Sequence, residues 1–391
     1  MMINVARARR QTPGCDYVLH FNNAGAALMP EVVVNRVIEH LRLEAEMGGY
    51  EAAAAIAGEL ESVYESVGSL IGADSSEIAL TDSATRAWDM AFYSLGLKKG
   101  DRILTSESSY ASNFIAYLQR VRQTEAVVEV VPSEPSGQIS VDALDQMMDD
   151  RVALVALTHV PTNGGLVNPA AAVGRVCGEH GAPFLLDATQ SIGQMPIDVT
   201  EIGCDFLAGT SRKYLRGPRG VGFLFVDTSA ATWLEPAMLD LRAATWVSPQ
   251  EYHLAPDAKR FESWESDVAA RLGFGAAVDY AMSWGVGTIW HFVQNLASLL
   301  RERLDELGSV TVRDIGIEKC GIVTFTHERR EADEVVAALR DQAMNASVTT
   351  PASTLLDATS RGLPNMVRAS VHYYNTEKEV DRFVAAVAAM R

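Results

Sequence analysis

The sequence of 391 residues lacks any apolar run close to the roughly 20 residues that a membrane-spanning helix needs. Arg7, Arg9 and Arg10 near the N-terminus are not followed by an apolar stretch, so a secretory signal is not indicated. Basic residues are scarce, since 33 Lys and Arg stand against 50 Asp and Glu, and the formal net charge of −17 disfavours binding to nucleic acid or to an anionic membrane. These absences predict a cytoplasmic protein.

Cysteine is also rare, and its four positions form no C-x-x-C pair: Cys15, Cys177, Cys204 and Cys320. This spacing indicates neither a disulfide framework nor a zinc site, so we expect ordinary reduced or buried thiols and no bound metal. Internal repeats, low-complexity tracts and charge blocks are absent as well. The length therefore predicts two or three domains, or one large domain with a smaller one attached.

Helical and strand-like patterns alternate from about residue 30 to residue 260. Short apolar runs without polar alternation, such as Val152 to Leu157, are typical of strands that are buried on both faces of a sheet. The helices between them predict right-handed crossovers and a mostly parallel sheet. The rest of the chain contains three helical and two strand-like patterns, which predict a smaller α+β unit.

Polar side chains follow several of the apolar runs. In open α/β sheets, ligands bind at the carboxyl ends of the strands, so we expect these groups to meet at one edge. They comprise small hydroxyls, helix-start amides, an aromatic ring, an acid and one lysine: Ser83-Ala84-Thr85, Ser106 to Asn113, Thr158-His159 with Thr162-Asn163, Asp187 with Gln190, and Thr210 to Lys213.

Lys213 carries most of the functional interpretation. A lysine is usually a solvated surface residue, but Lys213 follows a strand and precedes a Gly-rich turn. A desolvated lysine near other cations has a lowered pKa and can form a Schiff base with a carbonyl. Asp187 is either a helix cap or a carboxylate that keeps a pyridine nitrogen protonated. Together the two residues fit pyridoxal phosphate (PLP). Ser83-Ala84-Thr85 fits either a phosphate site or plain helix capping.

These residues resemble the class V aminotransferases of PLP fold type I, a group that includes cysteine desulfurases, isopenicillin N epimerase-like proteins and kynureninase. The resemblance covers nearly the whole chain and rests on motifs in family order: Phe21 to Gly25, Ser83 to Thr85, Thr158 to Val160, Asp187 to Ser191, Lys213 with Gly217 to Gly220, Arg260 to Glu262, and Arg368 to Ser370. It implies an α/β fold with three parts. Residues 1–30 would pack with the small domain, residues 31–270 would form a PLP-binding domain around a mostly parallel seven-stranded sheet, and residues 271–391 would form a smaller α+β domain.

The resemblance also implies roles for individual residues. Lys213 would carry the cofactor and move the substrate Cα proton, while Asp187 would pair with the pyridinium nitrogen. Gln190 would reach the phenolic oxygen of the cofactor, with either Thr162 or Asn163 as a second contact. The other cofactor contacts would be a ring stack at Tyr110 and phosphate contacts at Ala84, Thr85, Thr210 and Arg212.

For the substrate, the resemblance implies that Arg368 binds the α-carboxylate, helped by the backbone near Asn23 and Ala24. Taken alone, Arg368 would more often be a strand-end arginine in a surface ion pair. Tyr50 follows Gly48-Gly49 and is either part of a substrate loop or a core tyrosine after a helix stop. Residues 263–266 match the place from which a neighbouring subunit reaches the phosphate in relatives, which implies a homodimer with shared active sites.

The expected reaction follows from a missing residue. Cysteine desulfurases accept sulfur on a loop cysteine shortly before the carboxylate-binding arginine, but residues 347–364 contain none. Serine or threonine cannot replace a thiolate nucleophile. Residues 46–50 and 261–265 also resemble the branch with the C–S lyase of ergothioneine biosynthesis, which cleaves hercynylcysteine sulfoxide.

We therefore expect a PLP-dependent C–S β-lyase that acts on an S-substituted cysteine or its sulfoxide. Its products would be a thiol or sulfenic acid, pyruvate and ammonia, and ergothioneine biosynthesis is one setting for such an enzyme. The alternatives are another class V PLP enzyme, namely an epimerase, an aminotransferase or a desulfurase-like enzyme, and a non-catalytic PLP-binding protein.

Overall fold

The structure is a computed structural model and describes residues 3–390. Several of its helices begin at a polar side chain that accepts a hydrogen bond from the first turn, as Ser83 does from the backbone amide of Arg86. The helices are α1 (Val5–Arg10), α2 (Glu31–Met47), α3 (Gly49–Ala55), α4 (Ala57–Ile71), α5 (Ala84–Ser94), α6 (Ala111–Thr124), α7 (Val141–Met147), α8 (Ala170–His180), α9 (Val199–Ile202), α10 (Thr228–Trp233), α11 (Val268–Trp284), α12 (Val286–Asp305), α13 (Ala332–Arg340), α14 (Leu355–Ser360) and α15 (Glu377–Ala388). Within residues 3–390, no helix combines the length and the apolar character needed to cross a bilayer.

The strands are mostly short. They are β1 (Leu19–His20), β2 (Ile78–Thr81), β3 (Arg102–Ser106), β4 (Val127–Val131), β5 (Val152–Thr158), β6 (Phe184–Asp187), β7 (Phe206–Thr210), β8 (Gly222–Val226), β9 (Ala244–Ser248), β10 (Glu251–Leu254), β11 (Val310–Val312), β12 (Ile322–His327), β13 (Met344–Asn345), β14 (Ser347–Thr349) and β15 (Met366–Ser370). Four short 3₁₀ segments connect them: Pro13–Asp16, Ser75–Glu77, Ala258–Phe261 and Pro351–Thr354.

Seven strands form the central sheet in the order β2-β8-β7-β6-β5-β3-β4. Only β8 runs against its two neighbours, while the pairs from β7 to β4 are parallel. Both faces are covered, because alternate residues of β6 enter different apolar clusters, Leu186 on one side and Leu185 on the other. This accounts for the uninterrupted apolar runs in the sequence. The predicted α/β fold with a mostly parallel seven-stranded sheet is confirmed.

A second, antiparallel sheet has the order β11-β12-β15-β14 and packs against α12 and α13, while Phe383 of α15 contacts Phe325 of β12. The start of the chain joins it, since β1 pairs with β13 and Asn22 bridges to Ser370. Helix α11, however, packs mainly on α2 and α4. The domain limits at residues 30 and 270 stay a prediction.

Strand β15 ends at Ser370. The chain turns there because the backbone N–H of His372 donates to Asn375 Oδ1 at 2.8 Å, and the N–H of Asn375 donates back to the carbonyl of His372. The antiparallel hairpin of β9 and β10 is a further element that the sequence pattern did not predict.

Glu262 is a buried carboxylate beside the central sheet, and it contacts helix α4, strand β2, helix α11 and the loop before β9. It accepts hydrogen bonds from Tyr64 of α4 and from the backbone N–H of Leu80 in β2, both at 2.8 Å. Its other oxygen pairs with Arg242 at 3.0 Å and with Arg271 of α11 at 3.4 Å. Every lone-pair direction is therefore used, which is the condition under which a buried charge is tolerated.

Glu262→Gln should lower the free energy of unfolding by about 3 kcal/mol, because two guanidinium groups lose their buried counter-charge. Urea titration of the holoenzyme measures this change. Glu61→Gln is the matched control, because it breaks an ion pair with Lys259 in which the Glu61 side chain is 60% exposed, and it should cost less than about 1 kcal/mol. Equal effects of the two substitutions would show that Glu262 is not a structural hub.

Candidate functional site

A cavity of about 320 Å³ lies at the carboxyl ends of the central strands. This volume is typical of a small-molecule site. Polar residues after β2, β3, β5, β6 and β7 line it, together with residues from the N-terminal segment and the small sheet: Ala24, Gly25, Ser83, Ala84, Thr85, Trp88, Tyr110, Asn113, Thr158, Val160, Thr162, Asp187, Thr189, Gln190, Thr210, Arg212, Lys213, Val348, Thr349, Ser353 and Arg368. Most of the predicted site residues therefore meet in one place.

Lys213 follows β7 and is 9% exposed. Burial lowers the pKa of its amine to about 7, and the positive charges of Arg212 and Arg368 add to that effect, while Asp187 opposes it. A large fraction of this amine is thus unprotonated near neutral pH. An unprotonated lysine amine is the form that attacks a carbonyl carbon.

Asp187 ends β6 and is buried in the same cavity. Its Oδ2 accepts a hydrogen bond from Asn113 Nδ2 at 2.9 Å, and its Oδ1 accepts one from the backbone N–H of Thr189 at 3.0 Å. These two bonds orient the carboxylate. Asn113 was only part of the polar stretch 106–113 in the sequence, and its contact with Asp187 was not predicted.

The N-terminus of helix α5 opens into the cavity through Ser83, Ala84 and Thr85. The first amides of a helix lack intrahelical acceptors and attract anions. Gly222 of β8 permits this approach, because a Cβ at that position would lie 2.5 Å from the nitrogen of Ala84. Thr210 and Arg212 add a hydroxyl and a guanidinium to the cavity lining, so this end of it suits a phosphate.

Arg368 comes from β15 of the small sheet and lines the cavity. Its Nε donates to Ser347 Oγ at 3.2 Å, and its Nη1 donates to Thr162 Oγ1 at 2.7 Å. No acidic side chain among residues 3–390 forms an ion pair with it, and burial lowers the pKa of its guanidinium. Arg368 therefore lines the cavity as a cation that has no carboxylate partner among the described residues, and it does not form the surface ion pair that was the alternative.

Gln190 carries a polar atom whose hydrogen-bonding capacity is unused. Its Nε2 donates to the carbonyl of Ala24 at 3.2 Å, while its Oε1 is buried and accepts no hydrogen bond within the described chain. Buried polar atoms in native proteins nearly always have partners. A hydroxyl of a bound molecule would satisfy this oxygen.

Tyr110 is 36% exposed and also lines the cavity. Its backbone N–H donates to Thr158 Oγ1 at 3.2 Å, which fixes the start of helix α6 against β5.

His159 is not among the lining residues. It is buried beside Ser191 Oγ, at 3.1 Å from its Nδ1, and burial lowers its pKa to about 4. His159 therefore supports the strand end.

Three of the predicted site residues, Asn23, Asn163 and Tyr50, are not in the lining of this cavity. The side-chain amide of Asn163 bonds to Thr349, Thr350 and Thr354, whereas the adjacent Thr162 lines the cavity and accepts a hydrogen bond from Arg368. The side chain of Asn23 is buried against the carbonyl of Ser370, and only Ala24 of that pair reaches the cavity.

Tyr50 lies elsewhere. It belongs to α3, is 74% exposed and lines a different cavity together with Trp264. It is neither part of the Lys213 cavity nor the core tyrosine that was the alternative. The helix stop at Gly48, where φ is +97°, was predicted.

The lining suits PLP. Lys213 supplies the amine for the aldehyde, Asp187 supplies a carboxylate for the pyridine nitrogen, and the start of α5 supplies amides for the phosphate. The unsatisfied Oε1 of Gln190 points to a further polar contact. Among residues 3–390, no group of three or more His, Cys, Asp or Glu side chains is arranged to hold a metal ion.

Comparisons with known proteins agree with this geometry. Over residues 19–383 the chain matches the family model described as Aminotransferase class-V. A probable cysteine desulfurase from Methanothermobacter thermautotrophicus is 29% identical over 381 residues, which cover 95% of this chain and 94% of that protein.

Solved structures share the fold. The apo structure of a cysteine desulfurase from Thermococcus onnurineus matches with a TM-score of 0.91 and 25% identity, covering 99% of this chain and 98% of that one. A cystine C–S lyase in complex with its product cysteine persulfide matches with a TM-score of 0.87 and 22% identity, covering 97% and 99%. The chain therefore belongs to the aminotransferase class-V family, and its cofactor is pyridoxal 5′-phosphate.

Proposed function

We propose that this protein is a PLP-dependent lyase that breaks the Cβ–S bond of a cysteine-type amino acid and releases the sulfur group directly. One observation carries the proposal: Lys213, Asp187 and Arg368 share a cavity whose lining, among the described residues, contains no thiol. With water, an S-substituted cysteine would give a thiol, pyruvate and ammonia. A sulfoxide substrate would give a sulfenic acid in place of the thiol.

The burial and protonation of the cysteine thiols support release of the sulfur group without transfer to the protein. The cysteines at 177, 204 and 320 are buried, and Cys15 is partly buried. Burial raises the pKa of the Cys15 thiol to about 11 and that of the Cys320 thiol to about 12, so these sulfurs stay protonated at neutral pH. A protonated thiol is a poor acceptor for sulfur.

A second candidate is cysteine desulfuration, and the cysteine desulfurases among the relatives favour it. Cysteine would then yield alanine, and its sulfur would pass to an external acceptor, because residues 347–364 contain no cysteine. The relatives reported above are not named as enzymes of ergothioneine biosynthesis, and the proposal does not include that pathway.

The roles of the residues follow from their positions. Bound PLP supplies an electron sink for the bond changes at the substrate Cα. The Nζ atom of Lys213 takes the Cα proton, and its pKa near 7 suits a group that accepts and returns protons at neutral pH. Arg368 binds the substrate α-carboxylate through its planar fork and thereby orients the substrate.

The remaining lining residues hold the cofactor. Asp187 would keep the pyridine nitrogen protonated, and Gln190 and Thr162 would contact the phenolic oxygen. The ring of Tyr110 would stack on the cofactor. The backbone of Ala84 and the side chains of Thr85, Thr210 and Arg212 would bind the phosphate.

The product distinguishes the two candidates. Holoenzyme mixed with S-methyl-L-cysteine or its sulfoxide should release pyruvate, measured by coupled lactate dehydrogenase, because elimination leaves a carbon skeleton that hydrolyses to the keto acid. With L-cysteine, alanine should stay below pyruvate. Lys213→Ala is the control and should lower pyruvate release at least about 10³-fold, as expected when a proton-transfer group is lost. Alanine as the main product would reject elimination in favour of desulfuration.

The active protein is proposed to be a homodimer. A second cavity, of about 560 Å³, lies between helices α2 to α4 and residues 263–268, and its lining includes two exposed aromatic side chains. Tyr50 is 74% exposed and Trp264 57% exposed. Ser263 and Glu265 also border the loop that leads into helix α5. Exposed apolar patches of this kind are typical of protein interfaces.

Light scattering after size-exclusion chromatography should give twice the mass of one chain. Trp264→Arg should shift the protein toward a monomer at low micromolar concentration, because a charge would be buried without a partner. Ile317→Arg is the matched control, since Ile317 is 84% exposed at a distant site. A wild-type monomer, or a dimer that tolerates Trp264→Arg as well as the control, would contradict the proposed interface.

A further inference from the structure

One side of the Lys213 cavity is a short segment of the small domain. Residues 349–354, named here the wall segment, run from the end of β14 through the 3₁₀ turn Pro351–Thr354. Thr349 and Ser353 of this segment line the cavity, together with the preceding Val348. The position of the wall segment therefore sets the space that is left for a substrate side chain.

The wall segment is hydrogen-bonded to a buried side chain of the large domain. Asn163 is 5% exposed. Its Nδ2 donates to the carbonyl of Thr350 at 3.0 Å and to Thr354 Oγ1 at 2.9 Å, and its Oδ1 accepts a hydrogen bond from the hydroxyl of Thr349. Thr349 and Thr354 are themselves 4% and 0% exposed. Both ends of the segment are thus joined to the same amide.

The backbone of Asn163 has contacts of its own. Its backbone carbonyl oxygen lies 3.2 Å from Thr324 Oγ1, and the same hydroxyl oxygen lies 2.8 Å from Asp314 Oδ1. The other oxygen of Asp314 pairs with Arg301 at 2.7 Å. Asp314 Oδ1 also accepts a hydrogen bond from the backbone N–H of Thr324 at 3.0 Å. These contacts hold the backbone of Asn163 next to β12.

The wall segment is also linked to the arginine that faces the cavity. Ser347 lies two residues before the segment, is the cross-strand partner of Arg368, and accepts a hydrogen bond from its Nε. Movement of the segment would therefore disturb the orientation of the guanidinium.

We propose that Asn163 is a positioning residue that holds residues 349–354 as an ordered wall of the active site and, through Ser347, keeps Arg368 in its substrate-binding orientation. The effect on substrate rests on the function proposed above, whereas the effect on the wall segment does not. Asn163 contacts neither cofactor nor substrate in this account. Its contribution appears in substrate binding more than in the chemical step.

Amide hydrogen exchange of the holoenzyme tests the first part. In Asn163→Ala the wall segment loses three hydrogen bonds, so peptides that cover residues 349–357 should exchange at least about tenfold faster. Thr354→Val removes only one acceptor and should give a smaller increase. Asn168→Ala is the matched control. Asn168 is 1% exposed and makes hydrogen bonds to Thr158, Ser108 and Ile139, but none to the wall segment.

Steady-state kinetics with S-methyl-L-cysteine test the second part. Asn163→Ala should raise KM about tenfold and change kcat less than threefold, because the residue positions a binding group. Asn163→Asp keeps the acceptor for Thr349 but cannot donate to the carbonyl of Thr350 and buries a negative charge, so it should raise KM at least as much as Asn163→Ala. If Asn168→Ala accelerates exchange in the wall segment as strongly, or if Asn163→Ala leaves it unchanged, the proposal is wrong. If Asn163→Ala raises exchange in the wall segment but lowers kcat without raising KM, the proposed effect of Asn163 on the orientation of Arg368 is wrong.

The two proposals fail in different ways. Absence of pyruvate from every S-substituted cysteine would remove the proposed reaction and leave the exchange result intact. Unchanged exchange in Asn163→Ala would remove the ordered wall even in an enzyme that forms pyruvate.

Discussion

Three basic side chains, Arg212, Lys213 and Arg368, share a cavity in which Asp187 is the one carboxylate among the described lining residues. Burial lowers the pKa of Lys213 to about 7, and repulsion from the two guanidinium groups adds to this effect. The phosphate of PLP and the carboxylate of an amino acid would supply the missing negative charge. The excess of positive charge in the cavity destabilises the unliganded protein, and it therefore favours binding of both PLP and the amino acid.

The fold brings these charges together from separate parts of the chain. Lys213 and Asp187 follow neighbouring strands of the central sheet, whereas Arg368 belongs to the small sheet. The N-terminal segment joins the two, because the N–H of Ala24 donates to Ser370 Oγ while its carbonyl accepts from Gln190. Correct placement of Arg368 thus depends on contacts far along the sequence, including the contact with Thr162 and the contacts that hold the wall segment.

The sequence predicted the sheet and most of the cavity, because strand-end positions in an α/β fold follow from local patterns. Lys213, Asp187 and the start of α5 are of this kind. Long-range side-chain contacts were not predictable. Nothing local shows that Asn163 turns away from the cavity while the adjacent Thr162 faces it, or that Asn113 reaches Asp187. Tyr50 lies on an exposed face because α3 begins directly after the Gly48 turn.

The central claim is that Lys213 is the lysine that bears the cofactor. Holoenzyme reduced with borohydride, digested and analysed by peptide mass spectrometry tests this claim directly, because reduction converts the Schiff base into a stable secondary amine. The account predicts one phosphopyridoxyl group per chain, on the peptide that contains Lys213. A phosphopyridoxyl group on another lysine, with Lys213 unmodified, would contradict it.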